Sequence, residues 1–365
     1  MTPASSAQPQ PAGTADTANL DALRTCAITF VVASHVGNYA GWAHEDAFRL
    51  SALGFLGVAI FFVHTTLVLM MSLQRQPPGT LALPFFVRRV LRVYPLSIAT
   101  VAAVTALAFT RGGADAWVFI TNVLLVQNIA GTPSTPPPLW SLPYEVQMYL
   151  VLPAMFLLTA RRGSVVWALA GWLACIASLA LGWQFDWGWL VLVTKLAPCF
   201  VPGLVAYLIA RDCPRRPQVS PAFLFAGVTV LAVVFPAAVA RGGSTPAQVQ
   251  GMSTVLAWFA CLALGLAIPF TRPLRSPRVA LACKTVATYS YGIYLIHAPV
   301  LDEVFTRWQG PWAAKFGAFV AITAALAYAA HWLIEQPGIR LGQRWAGALR
   351  ARSAFGPTMA ARPRW

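Results

Sequence analysis

The chain has 365 residues, 58% of them hydrophobic and 10% charged, with a mean hydropathy of +0.64. This balance excludes an ordinary soluble domain and points to an all-α polytopic membrane protein in a lipid bilayer. The formal net charge of +15 does not mark a nucleic-acid binder, because the arginines fall in short clusters between apolar stretches, as membrane topology dictates.

Residues 1–18 are rich in Ala, Pro, Ser and Thr and read as a disordered tail. They lack the basic n-region of a signal peptide, so the first helix is expected to stay as an anchor. Apolar stretches of bilayer length cover 21–40, 53–73, 93–110, 140–160, 164–182, 188–210, 220–240, 250–270, 281–301 and 313–334. Segment 116–130 is apolar but short, and polar at Thr121, Asn122, Gln127 and Asn128. It is expected to be a re-entrant or interfacial piece, the alternative being an eleventh span. The transmembrane unit covers 19–340, and a basic cytoplasmic tail follows over 341–365. The six cysteines show no disulfide or metal-site spacing.

With ten spans and the N-terminus inside, twenty Lys and Arg fall on the inner side, five on the outer, and Lys195 within a span. The positive-inside rule then places both termini in the cytoplasm. An eleventh span would invert every later loop and destroy that asymmetry.

The first span, LDALRTCAITFVVASHVGN, carries two costly residues, Arg24 and His35, eleven positions apart. Eleven helical steps end about 20° past three full turns, so both side chains share a face, about 16 Å apart along the axis. Ionisable groups at such depth line cavities far more often than they face lipid. Glu145, in WSLPYEVQMYLVLP, is the acid clearly within a span, and Ser141, Glu145 and Tyr149 share its face at four-residue spacing. The bland reading is a carboxylate held near a helix N-terminus by the dipole; the sharper one is a cavity wall. His35, Glu145 and His297 are expected to converge on one outward-opening chamber. His64 reads first as a hydrogen-bonded core residue, and His331 and Glu335 as an i, i+4 pair. On the inner side, FFVRRVLRVYPL carries Arg88, Arg89 and Arg92. Either these anchor the helix, or their guanidinium forks hold a phosphorylated cofactor such as coenzyme A.

Together these pieces resemble the acyltransferase-3 family of integral membrane O-acyltransferases. LDALRTCAITFVVASHVG is similar to its first helix, GFLGVAIFF (Gly54–Phe62) to its second-helix signature and RRVLRVYPL (Arg88–Leu96) to its RxxR-type segment. WSLPYEVQMYLVLP resembles WSLxxEExFYLxxP, SYGIYLIHAPV (Ser290–Val300) resembles SYxxYLxHxPV, and IEQP (Ile334–Pro337) resembles a terminal ExP motif. The chain departs from the pattern at His64 and Thr65, where Ser and Gly are usual, and at Val146, where a second acid is common.

The resemblance implies transfer of an acyl group, commonly acetyl, from cytoplasmic acyl-CoA to a hydroxyl of a carbohydrate or small molecule at the bacterial cytoplasmic (inner) membrane. In that reading His35 is general base or acyl carrier, Glu145 orients His35 or the acceptor, and Arg24 lies near the thioester. Arg88, Arg89 and Arg92 would bind the CoA phosphates, and no metal is called for. Trp140, Ser141, Tyr149, Tyr291, His297 and His64 would bind substrate. A different class, a transporter, would use His35, Glu145 and Lys195 as a proton or solute relay; a sensory or scaffold protein would need none of them.

Overall fold

The computed structural model describes residues 17–40, 43–76, 82–159 and 164–354. Most of the expected N-terminal tail, Arg161, Arg162 and residues 355–365 lie outside the described residues. The protein is all-helical, with ten segments long and apolar enough to cross a membrane. Among the described residues, extended structure is limited to one isolated bridge between Val219 and Thr271.

The helices are α1 (Ala18–Tyr39), α2 (Ala43–Gln74), α3 (Ala82–Phe109), α4 (Ala116–Val123), α5 (Gln127–Ala130), α6 (Leu142–Leu158), α7 (Ser164–Gln184), α8 (Gly188–Thr194), α9 (Ala197–Asp212), α10 (Pro221–Gly242), α11 (Pro246–Ala267), α12 (Pro277–Asp302), α13 (Trp312–Ala330) and α14 (Gln336–Ala354). A 3-10 turn over Pro137–Ser141 leads into α6. The ten spans match the apolar stretches read from sequence, with two corrections. The third starts at Ala82 rather than 93, because FFVRRVLRV is already helical and its arginines turn toward protein rather than water. The tenth continues past 334. There the Gln336 N–H reaches back to His331 O, which widens the turn directly before Pro337, a residue with no N–H to offer. Beyond it α14 packs on α3, with Gly342 against the Arg88 backbone.

Segment 116–130 forms two helices of eight and four residues, too short to cross. Its polar residues explain themselves. Asn122 bonds Pro133 O at 2.9 Å and the Thr135 N–H at 2.8 Å, and Gln127 donates to Leu139 O at 3.2 Å, supporting the turn before α6. Trp117, Ile120, Leu124 and Ile129 are exposed.

The sixth span is broken between α8 and α9, directly before Pro198, which has no N–H to offer Thr194 O. Within α9 a second proline repeats the deficit. Pro202 has no N–H for Pro198 O; Trp172 Nε1 supplies that bond at 2.9 Å. Trp258 Nε1 caps Lys195 O at the break, also at 2.9 Å. Non-helical backbone at membrane depth needs such partners.

At the centre runs α2, with 67% of its most apolar stretch buried. It meets α1 closely: a Cβ on Gly57 would sit 2.6 Å from Ala27 O, so only glycine fits that crossing. On its other side α1 is latched, in parallel, to α12. Thr25 donates to Cys283 O (3.1 Å), Arg24 Nε to Ser290 Oγ (2.6 Å), His35 Nδ1 meets His297 Nε2 (2.9 Å) and Tyr39 donates to Asp302 (3.3 Å). Rising register along both helices fits spans one and nine running the same way.

Candidate active site

Two cavities lie along the Arg24–His35 face of α1. The first, about 290 Å³, is lined by Arg24 from α1, His64 and Thr65 from α2, Arg89 and Arg92 from α3, Ser141, Glu145 and Tyr149 from the α6 region, and Ser290, Tyr291 and Tyr294 from α12. It is cationic. Three guanidinium groups face one carboxylate, Glu145, which accepts from the Tyr149 hydroxyl one turn on. Arg24 is steered by its bond to Ser290, which itself donates to Ala287 O at 2.8 Å. Tyr291 donates to Val93 O at 2.7 Å. Arg89 Nε is buried without a hydrogen-bond partner, an arrangement that costs about 1–3 kcal/mol unless a ligand satisfies it.

Glu335 belongs to this electrostatic neighbourhood, within range of Arg92 and Arg24. It is buried in the π-helical turn, 3.5 Å from His331 Nδ1. The i, i+4 pair read from sequence is present, but its surroundings were not foreseen. The signal was there in IEQP.

The second cavity, about 280 Å³, is lined by Ser34, His35 and Asn38 from α1, Ser51, Gly54 and Phe55 from α2, Pro138 and Trp140 before α6, Gln250 from α11 and Tyr294. The Trp140 indole stacks on Phe55, with centroids 5.7 Å apart and planes at 12°. Asn38, Ser51 and Gln250 are exposed polar groups around it. Val58 and Tyr294 line both cavities and so form the wall between them.

This arrangement corrects the single chamber expected from sequence. Glu145 lies with the arginines, not with His35; its bond goes to Tyr149, while His35 pairs with His297. Ser141, Tyr149, Tyr291 and His64 line the arginine cavity too. Among the substrate residues expected, Trp140 alone lines the His35 cavity. His297 lines neither cavity, and both its ring nitrogens are engaged, by Ile293 O and by His35. Arg88 departs from Arg89 and Arg92: it packs toward α14 and the charge of Arg350. Lys195 lines neither cavity and sits 5.9 Å from the Tyr144 ring, which separates the three members of the imagined relay.

Sequence reasoning missed Ser34, Asn38, Ser51, Gln250, Ser290 and Tyr294 as lining residues. Asn38 was readable, three residues after His35 on the same helix; Gln250 had no signal.

Comparison with known proteins gives the chain a family. The profile of the acyltransferase domain of acyltransferase-3 type matches residues 17–332. A relative, nodulation protein 10 of Rhizobium leguminosarum bv. viciae, is 26% identical over 363 residues, covering 88% of this chain and 93% of the relative. No solved structure matches. With a family match over most of its length and ten helices of membrane-crossing character, the chain belongs to the acyltransferase-3 family of multi-pass membrane acyltransferases.

Proposed function

We propose that this protein moves an acyl group, acetyl first, from cytoplasmic acyl-CoA to a hydroxyl of a carbohydrate or other small-molecule acceptor at the bacterial cytoplasmic membrane. The observation that carries the reading is the use of one helix by two cavities. Arg24 stands in a cationic cavity and His35 in a polar, aromatic one, with a thin shared wall. The arginine count places the Arg24 end toward the cytoplasm, where acyl-CoA is, and both termini on that side.

The cationic cavity suits the donor. Arg89 and Arg92 take its phosphates, and the unpartnered Arg89 Nε is a ready donor for one of them. A volume of about 290 Å³ is at the small end for enclosing a drug-sized ligand. It therefore holds the acyl-pantetheine arm and the diphosphate next to it, with the adenosine outside. Arg24 lies deeper, beside the pantetheine arm as it runs toward the shared wall of Val58 and Tyr294.

The His35 cavity suits the acceptor. Trp140 and Phe55 offer an aromatic face to a sugar ring, and Asn38, Ser51 and Gln250 offer hydrogen bonds. As the acceptor oxygen attacks the thioester carbonyl, its proton passes to the His35 imidazole, which lines the acceptor's cavity. The C–S bond breaks, the acyl group stays on the acceptor oxygen, and CoA leaves as thiolate to be reprotonated.

The test is purified protein with labelled acetyl-CoA, following label into added acceptor or into acetate. Label should move in the wild type and stop in a folded His35→Ala variant. Transfer at wild-type rate in that variant would remove His35 as base. Solute flux with no acyl transfer at all would return the protein to the transporter reading.

A further inference from the structure

We propose that His297 is a positioning residue that fixes the tautomer of His35, making Nε2 of His35 the nitrogen that takes the acceptor proton. The proposal rests on the reading of His35 as general base given above, and it assigns His297 a role other than sugar binding.

The argument starts from a group with no choice. A backbone carbonyl accepts and never donates. Ile293 O lies 2.9 Å from His297 Nδ1, so Nδ1 carries the proton. A neutral imidazole has one N–H, so His297 Nε2 carries the lone pair. That lone pair faces His35 Nδ1 at 2.9 Å, so His35 Nδ1 must bear its proton and donate. The second lone pair of the array is thereby forced onto His35 Nε2. Among the described residues no protein group bonds that nitrogen, and His35 lines the second cavity.

The opposite tautomers are disfavoured for a physical reason. Reversing the chain would aim the His297 Nδ1 lone pair at Ile293 O across 2.9 Å, an unmade hydrogen bond in a residue with 0% exposure, where no water can intervene. The two rings are close to parallel, at 24°, and α12 holds His297 in a buried helical setting. Rotation of His35 is restrained as well as its tautomer.

The device has the form of a base oriented by a third group, with one difference. The orienting group is neutral, so it steers the ring without adding a negative charge beside it. When His35 gains the acceptor proton at Nε2, its Nδ1–H bond to His297 becomes charge-assisted and stronger.

The test has two arms. In protein labelled with nitrogen-15 histidine, which has five histidines in all, His35 should show a protonated Nδ1 and a bare Nε2 at neutral pH. Signals for a protonated Nε2 overturn the proposal whatever the turnover. The second arm compares His297→Gln, whose amide oxygen still accepts from His35 Nδ1–H, with His297→Leu, which keeps volume and accepts nothing. His297→Leu should lose about 100-fold or more in kcat with the acetyl-CoA KM changed less than about twofold, as a wrong-tautomer base does. His297→Gln should recover most of that loss. Equal kcat in the two variants, or a wild-type kcat in His297→Leu, overturns the assignment. Failure of the base reading looks different: His35→Ala stays active although the wild-type protein shows the expected His35 tautomer.

Discussion

The Tyr294 hydroxyl meets Ser141 Oγ at 2.6 Å and also donates to Pro138 O at 2.7 Å, fastening α12 to the turn before α6. Its ring stands where the arginine cavity ends and the His35 cavity begins. A wall residue between a thioester and a hydroxyl site keeps water out of the first while the second is empty. Tyr294→Ala should join the cavities. We expect CoA release without acceptor to rise relative to productive transfer, read by thiol detection. An unchanged ratio means the wall is made by something else.

Arg89 and Arg88 are neighbours in sequence with different fates. Arg89 lines the cavity with a buried, unpartnered Nε, whereas Arg88 turns toward α14. Losing one charge-assisted bond to a phosphate costs about 1.5–3 kcal/mol, or roughly 10–100-fold in KM for acyl-CoA. Arg89→Ala should show that rise, and Arg88→Ala should leave KM within about twofold. Equal effects would return both arginines to membrane anchoring.

Trp140 should matter to the acceptor and not to the donor. Its indole lines the His35 cavity, stacked on Phe55, and does not reach the arginine cavity. Trp140→Ala removes the aromatic face that the proposed reading offers to the acceptor. The acceptor KM should rise several-fold while the acyl-CoA KM holds. The reverse pattern would exchange the two cavities.

The two halves of this picture were unequally legible. Ten spans could be read because about twenty apolar residues are needed to cross hydrocarbon and little else produces such runs. Arg24 and His35 could be put on one face because helical phase is arithmetic over eleven residues. The placement of Glu145 failed on depth. Its helix was counted from an outer surface near Trp140, but Pro137–Ser141 is a largely buried 3-10 turn, so α6 starts inside the protein and Glu145 meets Arg24, Arg89 and Arg92. The meeting of His35 and His297, 262 residues apart in sequence, was expected from the matching depth of their two helices, and the structure makes it a direct bond. Arg88 and Arg89 looked equivalent until α14 took one of them.

The broken sixth span gives a stability test free of any assumption about chemistry. Pro202 withholds the N–H that Pro198 O would receive in a regular helix, and Trp172 Nε1 donates there instead at 2.9 Å. Trp172 is 4% exposed, so the bond is out of reach of water. Trp172→Phe keeps most of the ring but leaves the carbonyl bare, at a cost of about 1–3 kcal/mol. Pro202→Ala restores the backbone donor while removing buried ring carbons, so alone it should destabilise. In the Trp172→Phe background, however, its N–H now has a vacant acceptor. The double variant should therefore be more stable than the sum of the singles by about 1 kcal/mol, measured as a double-mutant cycle of thermal unfolding in detergent. Strict additivity would mean that the proline and the indole do not share that carbonyl.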